Sequence, residues 1–128
     1  MTPHQLASVM ASVILGGLVV FQLLLAFGLP LGRAAWGGMH RVLPTKLRRA
    51  SLAAVPVLGV AGWVVLARAG LMQPGAEISA IRFLSWAFGA YFTFNTVINA
   101  LSKSPLERWI MTPVSTALVC CFVLVSIS

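Results

Sequence analysis

Three amide side chains, those of Gln22, Asn95 and Asn99, lie inside long apolar runs and are the first candidates for a functional site. Asn95 and Asn99 are four residues apart, so they share one face of a helix. Polar side chains inside membrane-spanning segments are costly and often line the path of a substrate or an ion. The three amides therefore predict a polar path. The alternative is interhelical hydrogen bonding, worth about 0.6–2 kcal/mol per contact.

A histidine and a glutamate, His40 and Glu107, are the next candidates. Histidine can titrate near neutrality or bind a metal, and a carboxylate beside it could act as a general base in a lipid-handling enzyme. No nucleophile accompanies them, and His4 is expected across the membrane. Cys120 and Cys121 are adjacent and lack metal-ligand spacing. We therefore predict no catalytic activity, no metal site and no bound cofactor.

Glu107 has a second predicted role, because it is the sole acidic residue expected on the cytosolic side. A carboxylate there could pair with the basic residues of the first loop and tie the two halves of the chain together. An exposed pair of this kind contributes about 0–1 kcal/mol. The predicted partners in this loop salt bridge are Arg33, Arg41, Lys46 and Arg48.

The composition indicates an integral membrane protein. The chain is 59% hydrophobic and 9% charged, whereas a soluble domain is about 45–50% apolar and about 25% charged. The net charge of +7 could suggest a nucleic-acid partner. However, the basic residues lie in short segments beside apolar runs, as in the cytosolic flanks of membrane helices. We therefore predict the lipid bilayer, and no nucleic acid, as the partner.

Four apolar runs are each close to the ~20 residues that cross a bilayer as a helix. They cover residues 6–29, 47–66, 81–101 and 109–127. A spanning segment must satisfy its backbone internally, so each run is expected to be helical, with a kink at Pro56 in the second. The sequence thus predicts an all-α polytopic protein, a single domain of four transmembrane helices in a small bundle.

The basic residues also predict the orientation. Seven of the nine lie in or beside loops 30–46 and 102–108, and the other two, Arg68 and Arg82, lie in the second loop. By the positive-inside rule, loops 30–46 and 102–108 are cytosolic and both termini face outward. The small size and the polarised charge favour a bacterial inner membrane.

The first loop is the predicted site of contact with anionic lipid headgroups or a protein partner. Each basic residue close to an anionic surface contributes about 1 kcal/mol, and a tryptophan can set the depth of the interface. The paired glycines Gly37 and Gly38 are unusual for a simple connection. The residues predicted to make this contact are Arg33, Trp36, His40, Arg41, Lys46, Arg48 and Arg49.

Two patterns concern assembly. Pro-Leu-x-Arg occurs at 30–33 and at 105–108, which would fit two repeated helical hairpins. Ser8, Ser12 and Gly16 recur every four positions, a spacing typical of close helix packing. We expect a homo-oligomer or a subunit of a larger membrane complex.

Two functions of different classes are compatible with these features. The first is a non-enzymatic accessory, assembly or scaffolding subunit that acts through helix faces and the basic cytosolic loop. The second is a small oligomeric transporter or channel with its polar path at Gln22, Asn95 and Asn99. No Asp or Glu lies within the four apolar runs, which argues against a proton-driven exporter, because such proteins usually need a titratable intramembrane group.

Overall fold

The computed structural model describes all 128 residues and consists of helices and loops. A π-helical turn of five residues, Glu107–Met111, leads directly into the last helix. The all-α prediction is confirmed, and each predicted run corresponds to one helix with ends shifted by a few residues. The four long helices are α1 (Pro3–Ala26), α2 (Thr45–Arg68), α3 (Ser79–Ala100) and α4 (Thr112–Ile127).

Three helical stretches are long and apolar enough to cross a membrane. They are α1, α2 and the continuous stretch Glu107–Ile127, whose most apolar windows have mean hydropathies of 2.4, 2.1 and 2.2. Helix α3 has sufficient length but is not among them, because Arg82, Asn95 and Asn99 lower its hydropathy. The helices therefore indicate a membrane protein with three candidate spans, rather than the four that the sequence predicts.

The helices pack as a ring in which α1 lies mainly on α2, α3 lies mainly on α4, and α4 closes the ring on α1. Helices α3 and α4 are antiparallel. The hydroxyls of Ser85 and Ser126 meet near one end, and Asn99 Nδ2 donates to Ser115 Oγ at 2.8 Å near the other. We call the end that carries the first and third loops the loop end, and the end that carries Met1, the second loop and Ser128 the terminal end.

Arginines hold helix ends together at both ends of the bundle. At the loop end, Arg48 Nε donates to the carbonyl of Ala26 at 2.9 Å and places a cation on the C-terminus of α1. At the terminal end, Arg68 donates to the carbonyls of Ser126 and Ser128 at 3.1 and 2.7 Å. Helix α2 continues through Pro56 as one helix.

The apolar core is divided between the two ends of the bundle. A small cluster at the loop end consists of Leu25, Ala35 and Leu43. The larger cluster, which we call the terminal-end cluster, fills the other half with twelve buried residues. Its members are Ala7, Ala11, Leu15, Leu58, Ala61, Val65, Ala69, Phe92, Leu118, Cys121, Phe122 and Val125.

The first loop is folded on itself. It contains two 3₁₀ turns, Gly32–Ala34 and Trp36–Gly38, and the Gly32 N–H donates to the carbonyl of Arg41 at 2.9 Å. A Cβ atom on Gly32 would overlap the carbonyl oxygen of His40. Backbone contacts therefore give this loop a defined shape.

The predicted repeat of two hairpins has no support in the structure. The first Pro-Leu-x-Arg segment, 30–33, enters a 3₁₀ turn after α1 has ended. The second, 105–108, is helical and forms the start of the stretch that continues into α4. The same four-residue pattern therefore adopts two different conformations.

Candidate functional site

A cavity of about 200 Å³ lies between the four helices in the loop-end half of the bundle. Twelve of its 17 lining residues are hydrophobic. Its lining includes all three amides that the sequence predicts as a polar path, so the fold brings these residues together from α1 and α3. The polar side chains in the lining are Gln22, Asn95, Asn99, Glu107 and Ser115.

Each of the two asparagines donates one N–H group within the protein. Asn95 Nδ2 donates to the carbonyl of Tyr91 at 3.2 Å, one turn earlier in α3. Asn99 Nδ2 donates to Ser115 Oγ at 2.8 Å, and the Ser115 hydroxyl donates in turn to the carbonyl of Met111. Asn99 thus makes an interhelical hydrogen bond, which is the alternative that the sequence offers to a polar path. The side chains of Asn95 and Asn99 also border the cavity.

Gln22 differs from the asparagines. Its side chain makes no hydrogen bond within the chain, and its Oε1 atom is buried without a partner. A buried polar atom left unpaired costs about 1–3 kcal/mol. Gln22 is therefore the amide that is available to a group from outside the chain.

Glu107 is the site residue whose position the sequence misassigns. It lies in the π-helical turn at the start of the candidate span Glu107–Ile127, not in a loop, and is only 4% exposed. Its Oε2 accepts a hydrogen bond from the Gly37 N–H at 3.2 Å, and its Oε1 is buried without a partner. The sequence argument against a proton-driven exporter assumed that no acidic residue lies among the helices. That assumption no longer holds, because the carboxyl group of Glu107 borders the cavity.

The salt bridge predicted for Glu107 does not form. None of the four basic side chains expected to reach it is its partner, and the backbone N–H of Gly37 takes that place. No Lys, Arg or His lines the cavity either. The carboxyl group is therefore held by a neutral donor and forms no ion pair. The four predicted partners were Arg33, Arg41, Lys46 and Arg48.

Glu107 is the first residue of a π-helical turn that Pro113 can explain. Pro113 has no N–H, and its ring would crowd the carbonyl of Trp109 in a regular α-helix. The wider π turn immediately before α4 accommodates this proline, and such turns occur often at functional sites. The backbone N–H of Glu107 lies 3.5 Å from Ser104 Oγ.

The paired glycines join the first loop to the third. Gly37 and Gly38 have φ angles of +81° and +70°, which favour glycine. Gly37 holds Glu107, and a Cβ atom on Gly38 would overlap the side chain of Ser104. Ser104 Oγ in turn donates to the carbonyl of Arg33 at 2.5 Å. We call these contacts of Gly37 and Gly38 with Ser104 and Glu107 the loop clasp.

Trp36 borders the cavity in a strained conformation. Its φ angle of +51° is in the left-handed region, which costs a non-glycine residue about 1–3 kcal/mol. Its Nε1 donates to Ser51 Oγ at 2.9 Å, and its indole is part of the cavity lining. Backbone strain of this kind clusters at functional sites.

The residues predicted to contact lipid headgroups fall into three groups. Arg48 is half-buried and bonds the end of α1, and Trp36 faces the cavity. The others are exposed at the loop end, where a basic surface is available to anionic groups. These exposed residues are Arg33, His40, Arg41, Lys46 and Arg49.

Comparison with known proteins gives no functional guide. No protein-family model, no characterised protein and no solved structure matches this chain. A functional hypothesis therefore has to start from the chemistry of the cavity. Two features define that chemistry. They are the unpartnered buried oxygens of Gln22 and Glu107.

Proposed function

We propose that the chain crosses the membrane four times, with α3 as the fourth span. Helix α3 runs antiparallel along α4, from the contact of Ser85 with Ser126 to that of Asn99 with Ser115. Its 22 residues correspond to about 33 Å, close to the ~30 Å of a hydrocarbon core. Asn95 and Asn99 border the cavity. Polar side chains in membrane-spanning helices usually face the bundle interior, so the position of these two asparagines supports α3 as a span.

The proposed orientation has loops 30–46 and 102–108 in the cytosol and both termini outside, in a bacterial inner membrane. The unequal distribution of basic residues supports it. Arg68, one of the two basic residues on the other side, has a structural partner in the carbonyls at the end of α4. Its presence outside is therefore consistent with the positive-inside pattern.

Cysteine labelling tests this topology. In a background of Cys120→Ala and Cys121→Ala, Lys103→Cys is expected to react with an impermeant maleimide only after the membrane is opened. Gln73→Cys, in the second loop, is expected to react in intact cells and is the matched control. Reaction of Lys103→Cys from the outside of intact cells would overturn the orientation.

For the biochemical function, we propose a small transporter whose ligand binds in the loop-end cavity. The observation that carries this proposal is that Gln22, Asn95, Asn99 and Glu107 border one cavity between the helices. The terminal-end cluster lies between this cavity and the other end of the bundle, and Phe92 belongs to both. A transporter is favoured over an open channel, because apolar side chains fill the terminal half.

The accessory or scaffolding role, which is the first function that the sequence predicts, is our second proposal. Gly16, Gly17 and Gly59 have no atom within 4 Å of the place where a Cβ would lie, so these surfaces of α1 and α2 are open to a helix from another chain. A homo-oligomer would use the same surfaces. A stoichiometric partner that co-purifies from the native membrane, together with no solute uptake, would favour this role over transport.

Uptake into proteoliposomes tests the transport proposal. Isotope-labelled urea, guanidinium and nitrate are suitable probes, because they are small, planar and differ in charge. At least one is expected to enter faster than into empty liposomes. Gln22→Leu and Asn95→Leu are expected to lower that rate about tenfold or more, as expected for loss of a polar contact in a buried path.

The control for these variants is Gln73→Leu, which makes the same change in an exposed loop and is expected to leave uptake unchanged. Correct insertion of each variant is checked by its sedimentation and helical circular dichroism. The transport proposal is wrong if no probe enters faster than into empty liposomes, or if Gln22→Leu and Asn95→Leu behave as the unaltered protein.

A further inference from the structure

We propose that the ligand of the loop-end cavity is a small monovalent organic cation with N–H donors, bound by Glu107 and Gln22 against aromatic rings. This inference rests on the proposed transport function and names the class of ligand for the same cavity. It follows from the charge of the lining, from the balance of its donors and acceptors, and from its size.

The charge of the lining favours a cation. Glu107 is 4% exposed, and its Oε1 is buried with no hydrogen-bond partner. No basic side chain borders the cavity, and none forms an ion pair with this carboxyl group. A buried charge without a counter-charge is strongly destabilising, and a cationic ligand supplies the missing partner. The same carboxyl group repels an anion.

The donors and acceptors of the lining favour a ligand that donates hydrogen bonds. The indole N–H of Trp36 is bonded within the protein, and Asn95 and Asn99 each donate one of their two N–H groups, to Tyr91 and Ser115. The buried oxygens of Gln22 and Glu107 have no donor. A ligand with two or more N–H groups would satisfy both.

The size and apolar character of the lining favour a small organic ligand over a divalent metal ion coordinated by the protein. Mg²⁺ and Ca²⁺ require about six or more oxygen ligands, whereas the chain has no group of three His, Cys, Asp or Glu side chains that could hold a metal. The cavity of about 200 Å³ is smaller than the ~300–1,000 Å³ typical of drug-sized ligands. The rings of Trp36, Tyr91 and Phe92 are in the lining and can stack on a weakly hydrated planar cation.

The basic residues of the first loop oppose the approach of a cation, but their effect is limited. The exposed ones, such as Arg41, Lys46 and Arg49, are not part of the cavity lining. Solvent-exposed charges are screened over about 10 Å at 0.1 M salt. The buried carboxyl group of Glu107 is screened much less and therefore determines which charge the cavity accepts.

Binding of guanidinium and urea to the whole chain in lipid nanodiscs tests this inference. The two molecules have nearly the same planar shape and both donate N–H groups, but only guanidinium is charged at all accessible pH values. At low millimolar concentration, guanidinium chloride is expected to raise the melting temperature of the protein, since a ligand that binds only the folded state stabilises it. Urea and sodium nitrate at the same concentration are expected to leave it unchanged.

The variant Glu107→Gln is expected to weaken guanidinium binding about tenfold or more, as for loss of a charge-assisted hydrogen bond. A glutamine oxygen can still accept from the Gly37 N–H, so the loop clasp is retained. Glu77→Gln, the same change at the only other acidic residue, is expected to bind guanidinium as before. If Glu107→Gln does not fold, Gln22→Leu with Glu107 intact is expected to weaken guanidinium binding in its place.

The outcomes separate this inference from the transport proposal. Tighter binding of urea or nitrate than of guanidinium, with sensitivity to Gln22→Leu but not to Glu107→Gln, would overturn the cation and leave a transporter of another ligand class. The selectivity of the unaltered protein for guanidinium over urea does not depend on whether any variant folds. No binding of any probe, together with no uptake, would overturn both.

Discussion

Gly38→Ala is expected to lower the free energy of unfolding by about 3 kcal/mol, a large effect for a single methyl group. Gly38 has a φ angle of +70°, and a left-handed conformation costs an L-residue about 1–2 kcal/mol. The added Cβ would also overlap the side chain of Ser104 and lie 2.8 Å from the carbonyl oxygen of Arg33. Overpacking of this kind costs about 1–3 kcal/mol more. Reversible unfolding in mixed detergent micelles measures the change.

Gly37→Ala is the matched control, because Gly37 also has a positive φ but nothing lies within 4 Å of its Cβ position. Gly37→Ala should therefore lower the free energy of unfolding only by the cost of a left-handed backbone, about 1–2 kcal/mol. Adding Ser104→Gly to Gly38→Ala removes part of the overlap and should recover part of the loss, as expected for neighbouring residues that couple. Equal losses for Gly37→Ala and Gly38→Ala would show that the loop clasp is not tightly packed.

The loop clasp shows what the sequence could indicate and what it could not. The pair Gly37-Gly38 stands out in the sequence as a feature that a simple connection does not need. Its partners, Ser104 and Glu107, lie some seventy residues away along the chain. No local pattern encodes a contact at that separation, so the sequence predicts an external partner where the structure has an internal one.

The helices were predictable because the bilayer imposes a length. Apolar runs of about 20 residues bounded by proline and glycine leave few alternatives to a helix. Helix α3 is the exception, because it is the one long helix that is not apolar enough to count as a candidate span. Its Asn95 and Asn99 border the cavity rather than the outside of the bundle, and average hydropathy does not distinguish these two situations.

The amides were also predictable as a group, whereas Glu107 was not. Gln22, Asn95 and Asn99 stand out as polar residues in apolar runs, and helical periodicity places the two asparagines on one face. Glu107 follows Pro105 and precedes Arg108, a composition typical of a loop. In the structure it lies in the π turn before Pro113 and accepts a hydrogen bond from the Gly37 N–H, and the surrounding residues reveal neither feature.

The salt bridge predicted for Glu107 is absent for a related reason, because its actual partner is a backbone group that is distant in the sequence. Charge complementarity makes any of several arginines a plausible partner for Glu107, but exposed pairs contribute little and do not select a geometry. The Gly37 N–H is directed at the carboxyl group by a left-handed backbone that only glycine adopts easily. A backbone donor in a fixed loop therefore takes the place of several mobile side chains.

Phe122→Ala is expected to open the terminal-end cluster and to let solutes leak through the protein. Phe122 is fully buried, and its ring centroid lies 5.3 Å from that of Phe92, which borders the cavity. Truncation of a buried phenylalanine costs about 3–5 kcal/mol and leaves a void. Because the ring separates the cavity from the terminal end, its loss should also raise the uptake of isotope-labelled urea into proteoliposomes.

Phe94→Ala is the control for this variant, since the Phe94 ring lies on the same helix as Phe92 but is 66% exposed. It should change the free energy of unfolding by less than about 0.5 kcal/mol and should cause no leak. A leak in Phe122→Ala alone would identify the terminal-end cluster as the barrier that closes the cavity on the side of the terminal end. Lower stability without a leak would mean that other residues form that barrier, and an equal leak in both variants would point to a general loss of bundle packing. The measurement therefore separates the role of Phe122 in packing from its role in closing the cavity.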